Sequence, residues 1–173
     1  VTGCGPIGVL AILAARRAGA GEIVATDIAE GVLAFARAAG ADRAHDTRAE
    51  PEALAADSAG KGSFDVLLEC SGAEPALRAG IAALRPRGVV VQLGLSGDMS
   101  LPMMALTAKE IDLRGSFRFH EEFATAVGHM RRGLIDVSPL LTHSFPLTAF
   151  GEAFETASDR SRSMKVQLDL AAV

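Results

Sequence analysis

Apolar and polar positions along the chain alternate between a helical and an extended period. Residues 6–18 put Ile7, Leu10, Ala11, Ala14 and Ala18 on one face, with Pro6 tolerated in the first turn and Gly19 and Gly21 stopping the segment. A β-branched run at 22–26 follows. Residues 30–39 then form a helical pattern with Val32, Phe35, Ala36 and Ala39 inward and Gly40 at its C-terminal end. Residues 43–46 predict a weak strand, 51–59 a short helix, and 64–69 a strand whose Val-Leu-Leu centre implies burial on both faces. Pro75 opens a helix with Leu77, Ile81 and Leu84 inward, closed by Pro86-Arg87-Gly88; residues 89–93 are the strongest strand. A short helix at 102–108 and a strand at 110–114 end this rhythm.

Strands separated by helical patterns indicate βαβ units and a parallel sheet. With Val1-Thr2 as the stub of a first strand, read as an extended segment cut just before its end, the strands number six. The expected fold class is α/β: a Rossmann doubly wound six-stranded parallel sheet of order 3-2-1-4-5-6. Beyond residue 118 the pattern changes. A helix at 121–131 has Phe123, Val127 and Met130 inward, and a proline-broken stretch runs through Pro139 and Pro146. A helix at 148–157 carries Phe150 and Phe154 one turn apart, and a last strand spans 164–170. Two parts are expected: a domain over 1–118, and a C-terminal segment over 119–173 that belongs to a second domain.

Composition narrows the function. Hydrophobic residues make up 49% and charged ones 22%, which excludes disorder. A net charge of −4 without a long basic run argues against nucleic acid and anionic membrane as partners. Tyr and Trp are absent, so no platform for stacking bases is evident. The longest apolar run, 9–15, is far too short to span a bilayer. Cys4 and Cys70 make neither a disulfide framework nor a four-ligand zinc site. A small-molecule or cofactor protein remains.

Gly3-Cys4-Gly5-Pro6-Ile7-Gly8 fits G-x-G-x-x-G. The first glycine permits a tight turn, the second lets a pyrophosphate approach the backbone, and the third lets the helix pack closely. A bare glycine turn is weak evidence, but this one leads through a helix and a strand to Asp27, 19 positions beyond Gly8. A carboxylate about 20 residues on is what holds ribose hydroxyls. Asp27-Ile28-Ala29-Glu30 is also a D-x-x-E pattern that could cap the next helix. Asp27 and Glu30 would repel a 2′-phosphate, and Gly31-Val32 supply no arginine to hold one, which favours NAD over NADP.

These motifs, with Phe64-Asp-Val-Leu-Leu-Glu-Cys-Ser-Gly72, resemble the coenzyme-binding half of zinc-dependent medium-chain alcohol and polyol dehydrogenases, those of the sorbitol type among them. The segment from Pro102 to Phe119, with Lys165-Val-Gln-Leu168, is similar to members that act on a sugar acid, L-idonate. The resemblance implies that Gly3, Gly5, Pro6, Ile7 and Gly8 cradle the pyrophosphate and Asp27 the adenosine ribose. It places Cys70, Ser71 and Gly72 beside the adenosine and its phosphates. Leu93, Gly94, Leu95, Ser116 and Phe117 would reach the nicotinamide, Arg118 the substrate, and Lys165 the cofactor phosphates. Gly31 departs from the family, which often has a basic residue there.

Family members polarise the substrate hydroxyl with a zinc ion so that hydride can pass to the nicotinamide. Their zinc ligands precede the glycine turn. The chain is therefore expected to hold no metal and to turn nothing over alone, while the complete protein is a cytoplasmic NAD(P)-dependent oxidoreductase acting on CH–OH. Pairing of strand 110–114 across a two-fold axis implies a homodimer or higher. Several readings stay open at this level. Cys70 can be a small buried thiol, and Arg118 and Lys165 solvated cations. His143 suits a packing or hydrogen-bonding role, while His45, His120 and His129 show no ligand spacing. Asp65 and Glu69 are too isolated for an acid/base pair. A zinc-free NADPH reductase of the same superfamily and a non-catalytic nucleotide-sensing module are the alternatives.

Overall fold

The computed structural model describes residues 1–171, so the last two positions of the segment expected over 119–173 lie outside the described residues. The chain divides into two compact units, one over Val1–His120 and one from Glu121 onward. In the first, α1 (Pro6–Arg17), β1 (Val24–Asp27), α2 (Glu30–Ala38), β2 (Arg43–Asp46), a single turn α3 (Ala55–Ser58) and β3 (Phe64–Glu69) are followed by α4 (Glu74–Ala83), β4 (Leu84–Gln92), α5 (Met103–Ala108) and β5 (Asp112–Gly115). All ladders are parallel, in two groups, β1 with β2 and β3 with β4 and β5. Thr2 bridges both groups, parallel to Thr26 and to Glu69. The Thr2 amide donates to the Leu68 carbonyl (3.0 Å) and the Gly3 amide to the Thr26 carbonyl (2.8 Å), so the glycine turn starts from the middle of the sheet. Of the expected six-strand order, the structure resolves these two groups and their junction.

Each group has its own core. Cys4, Ile12, Ile23, Ala25, Leu33 and Ala36 are buried in one, and Leu67, Leu77, Ile81, Leu84, Val90 and Leu106 in the other. Several inward faces differ from the sequence expectation. In α1 the buried residues are Gly8, Val9 and Ile12, whereas Ile7 and Leu10 are exposed. Gly8 must press on the glycine turn, and that contact sets the rotation of the helix. In α2 Leu33 and Ala36 are buried, with Val32, Phe35 and Ala39 only half so. Val66 is exposed rather than buried; it lines a cavity of about 640 Å³ between β1 and β3, together with Ile23, Phe64 and Leu84. Only Ala55–Ser58 of the helix expected over 51–59 forms.

The helix before β4 ends at Ala83, and Pro86-Arg87-Gly88 lies inside β4 instead of ahead of it. The β3–β4 register shifts between Phe64 and Val66, as the proline has no N–H to give the ladder and Arg87 takes a left-handed φ of 64°. Lys109 secures the other side of this region: its Nζ donates to the carbonyls of Ile81, Ala82 and Leu84, covering the C-terminal end of α4. Glu110 starts no strand; it turns with φ 52°, and β5 begins at Asp112.

The second unit contains α6 (Glu122–Arg131), β6 (Leu141–Pro146), α7 (Phe150–Ser158) and β7 (Lys165–Asp169). Within the proline-broken stretch, to which the sequence pattern assigns no element, Leu141–Pro146 forms a strand that pairs in parallel with β7. Pro139 and Pro146 stand at or beyond its ends, where a missing N–H does no harm. Leu140, Ala153 and Met164 are buried here, with the Thr156 side chain. No residue of α6 is buried: Phe123 and Met130, expected inward, are exposed, as are Phe150 and Phe154 of α7. A unit of this size has too little apolar volume to cover them all.

Candidate functional site

The C-terminal edge of the first unit's sheet gathers most of the residues singled out by sequence. Gly3 has a φ of 81°, and a Cβ there would lie 2.6 Å from the Ser71 amide nitrogen. A Cβ on Gly8 would lie 1.8 Å from the Gly3 carbonyl oxygen. Both glycines are thus demanded by the chain itself. Gly5 is different. It is extended (φ −65°, ψ −173°), and beyond Gly5 itself and its two chain neighbours no atom lies within 4 Å of the place its Cβ would occupy. The space before Gly5 opens at the N-terminus of α1, which has no side-chain cap and no acidic residue in its first turn. Unpartnered amides and the helix dipole make such an end favourable for an anion. A diphosphate fits that cradle.

Asp27 closes the cradle on one side. Its Oδ2 accepts the Cys4 amide of the glycine turn at 2.6 Å, and its Oδ1 accepts the amides of Ile28 (2.7 Å) and Ala29 (3.1 Å). The N-cap of α2 is Ala29, without a side-chain bond, so Asp27 makes a turn ahead of the helix rather than a capping box with Glu30. Glu30 pairs instead with Arg37 at 2.7 Å. Asp27 is therefore tied to the glycine turn. No Cβ contact lies within 4 Å of Gly31, so that position too is open.

On the other side, the turn after β3 and the turn after β4 touch backbone to backbone. Gly72 has a φ of 67°, and its Cβ would lie 2.7 Å from the Leu95 carbonyl oxygen; a Cβ on Gly94 would lie 2.2 Å from the Gly72 nitrogen. Leu95 projects outward, largely exposed. Sequence reasoning set Glu69 aside and did not single out Gln92, but both sit at the centre of these turns. Glu69 is fully buried, and its carboxylate accepts from Ser71 and Gly72 amides, the Ser71 hydroxyl, Thr2 Oγ1 and Gln92 Nε2. The signal available in sequence was an acid ending a Val-Leu-Leu run: a buried charge there requires several donors.

Ser116 joins the same edge, its amide donating to the Gln92 carbonyl at 2.9 Å. Phe117 beyond it is exposed, and Arg118 stacks over its ring at 4.9 Å in a left-handed conformation of φ 59°. Lys165 begins β7 in the second unit and is exposed. His143 accepts or donates at Nδ1 to Thr142 Oγ1 and stacks on Phe145. His45 Nδ1 pairs with Glu50 at 2.8 Å. Among the described residues, no three His, Cys, Asp or Glu stand together to hold a metal.

Burial pushes the Cys4 thiol up to about 12 and the Cys70 thiol up to about 11. Both are neutral at physiological pH and poor nucleophiles. Because the folded chain holds these protons more tightly than the unfolded one, stability is full below a pH of about 9 and falls as pH rises toward 11–12. The melting temperature is expected to fall as pH rises above about 9, with much of the fall removed by Cys4→Ala together with Cys70→Ala. A fall unchanged in the double variant would assign it to other groups.

A parallel α/β sheet with a glycine turn, an acid at the next strand end and close-packed turns along its C-terminal edge defines a Rossmann-like domain. The sequence profile of the zinc-binding dehydrogenases matches residues 6–132. The chain belongs to that family. It is 42% identical over 171 residues to L-idonate 5-dehydrogenase (NAD(P)(+)) of Escherichia coli K12, covering 97% of this chain and 49% of that protein. Against sorbitol dehydrogenase of Ovis aries it is 37% identical over 172 residues, covering 97% and 48%. The crystal structure of L-idonate 5-dehydrogenase from Escherichia coli K-12 superposes with a TM-score of 0.91 at 41% identity, over 96% of this chain and 48% of the other. The chain thus spans about half the length of the curated relatives it matches. No helix among the described residues is long and apolar enough to cross a membrane.

Proposed function

We propose that the chain is the coenzyme-binding part of an NAD-dependent dehydrogenase that moves hydride between the nicotinamide and a hydroxyl of a sugar acid or polyol, with L-idonate, oxidised to 5-ketogluconate, as the substrate. The observation that carries the reading is the unfilled space at Gly5, before an uncapped helix N-terminus and beside Asp27. The substrate class follows the two relatives named above.

NAD, when bound, accepts the hydride. The residues of this chain bind and orient it. The backbone of Gly5, Pro6, Ile7 and Gly8 at the head of α1 faces the diphosphate, with Gly3 shaping the turn, and Asp27 presents its carboxylate to the adenosine ribose while repelling a 2′-phosphate. The turn at Cys70–Gly72 lies beside the adenosine and its phosphates, and Leu93–Leu95, Ser116 and Phe117 reach toward the nicotinamide. Arg118 offers a cation to a substrate carboxylate. Among the described residues, no cluster of His, Cys, Asp or Glu fits a zinc ion. A homodimer along β5, whose ladder with β4 occupies one edge only, belongs to the same reading.

Without Trp or Tyr, the protein leaves bound NADH fluorescence unobscured. Titration is expected to show enhancement with NADH and at least tenfold weaker binding of NADPH, a difference of about 1.4 kcal/mol. Asp27→Ala is expected to narrow the gap to threefold or less. Equal affinity of the unaltered chain for both cofactors would overturn the reading of Asp27. A preference untouched by the substitution, with a lower melting temperature, would leave Asp27 only its bonds to Cys4, Ile28 and Ala29.

A further inference from the structure

Glu69 does more in this fold than a strand-end acid requires. Its side chain is fully buried, yet among the described residues no lysine or arginine pairs with it. Its charge is met by neutral donors from three separate stretches of chain. Thr2 Oγ1 (3.3 Å) comes from the strand that feeds the glycine turn. The Ser71 amide (2.8 Å) and hydroxyl and the Gly72 amide, shared between Oε1 (3.1 Å) and Oε2 (3.0 Å), come from the turn after β3. Gln92 Nε2 (2.6 Å) comes from the end of β4, and the same nitrogen donates to the Gly94 carbonyl at 2.9 Å. The Glu69 main-chain carbonyl accepts the amides of Leu93 and Gly94, both at 2.8 Å.

We propose that the Glu69 carboxylate is the positioning group of the cofactor site, setting the placement of the turn at Ser71–Gly72, beside the adenosine and its phosphates, relative to the turn at Leu93–Leu95, toward the nicotinamide, so that one dinucleotide lies on both. This rests on the dinucleotide reading above. Two features make the carboxylate specific for the task. A carboxylate only accepts, and every group facing it here donates. A glutamine of the same shape would turn an NH₂ toward the Gly72 amide or toward Gln92, and a backbone amide cannot reverse. Gly94 also has no room to adjust, since even a Cβ there would lie 2.6 Å from Glu69 Oε2. Aspartate, one methylene shorter, draws the acceptors back from Ser71 and Gly72. Asp27, by contrast, holds the adenosine side through its own bonds to Cys4, Ile28 and Ala29, none of which involves Glu69.

A ligand that needs both turns should therefore respond differently from one that needs only the adenosine side. In Glu69→Gln, with each protein held well below its own melting temperature, NADH affinity is expected to fall at least tenfold and AMP affinity less than twofold. Amide exchange at Ser71 and Gly72 should speed up at least tenfold, with Leu77 and Val90 unchanged. Gln92→Leu, which removes only one donor, carries the test if Glu69→Gln does not fold; it is expected to lower NADH affinity several-fold, again sparing AMP. Equal losses for NADH and AMP, or unchanged NADH affinity in the folded variants, would overturn the positioning role. Failure of the unaltered chain to bind NADH at all would instead remove the dinucleotide reading and this inference with it.

Discussion

Gly8→Ala is expected to destabilise the chain by about 3 kcal/mol and to lower its melting temperature by roughly 10 °C. Gly8 lies inside α1, where alanine is otherwise the better helix former by about 1 kcal/mol. Propensity alone thus predicts a more stable protein. The opposing effect is larger: the added methyl would sit 1.8 Å from the Gly3 carbonyl oxygen, which is backbone held by the turn's hydrogen bond to Thr26. Neither partner is a flexible side-chain end, so the helix must lift from the sheet. Ile12, one turn on and fully buried, moves with it. Thermal unfolding followed by circular dichroism decides the sign, and a melting temperature raised by a degree or two would show that propensity wins.

Gly5→Ala separates ligand binding from folding. The backbone at Gly5 is one that alanine adopts without strain, and the new methyl meets nothing within 4 Å. Alanine is a somewhat poorer N-cap than glycine, so a loss of under about 1 kcal/mol is expected. NADH affinity, however, should fall between tenfold and a hundredfold, about 1.4–2.7 kcal/mol, because the methyl takes the space through which a diphosphate reaches the amides at the head of α1. Fluorescence titration beside a melting curve gives both numbers. An unchanged affinity would mean that the open space before Gly5 is not where the cofactor lies.

The contrast between Gly5 and Gly8 also shows how much of the site could be read from the sequence. The G-x-G-x-x-G spacing and the acid at Asp27 were legible because both requirements are local: a turn, a helix start and a strand end within one βαβ unit. The structure divides the glycines by cause, with Gly3 and Gly8 demanded by neighbouring backbone and Gly5 by nothing in the chain. In α1 the large apolar residues Ile7 and Leu10 point to the wrong inward face. In a helix crowded onto a turn, the side without a side chain marks the contact, and Gly8 turns Ile12 inward and leaves Ile7 and Leu10 outside. The strand at Leu141–Pro146 was missed because its prolines suggested a break; they stand at its margins.

Glu69 was beyond reach for a different reason. Its partners lie 2, 3, 23 and 67 positions away, and no local pattern announces that a carboxylate will be buried among them. The sequence by itself determined the alternation of strand and helix, the parallel sheet and the glycine turn with its following acid, because periodicity and backbone conformation are set by neighbours along the chain. Tertiary structure alone decided which helix faces turn inward, how the turns after β3 and β4 lock together and that a buried carboxylate holds them, because packing and the satisfaction of a buried charge depend on groups brought close only by folding.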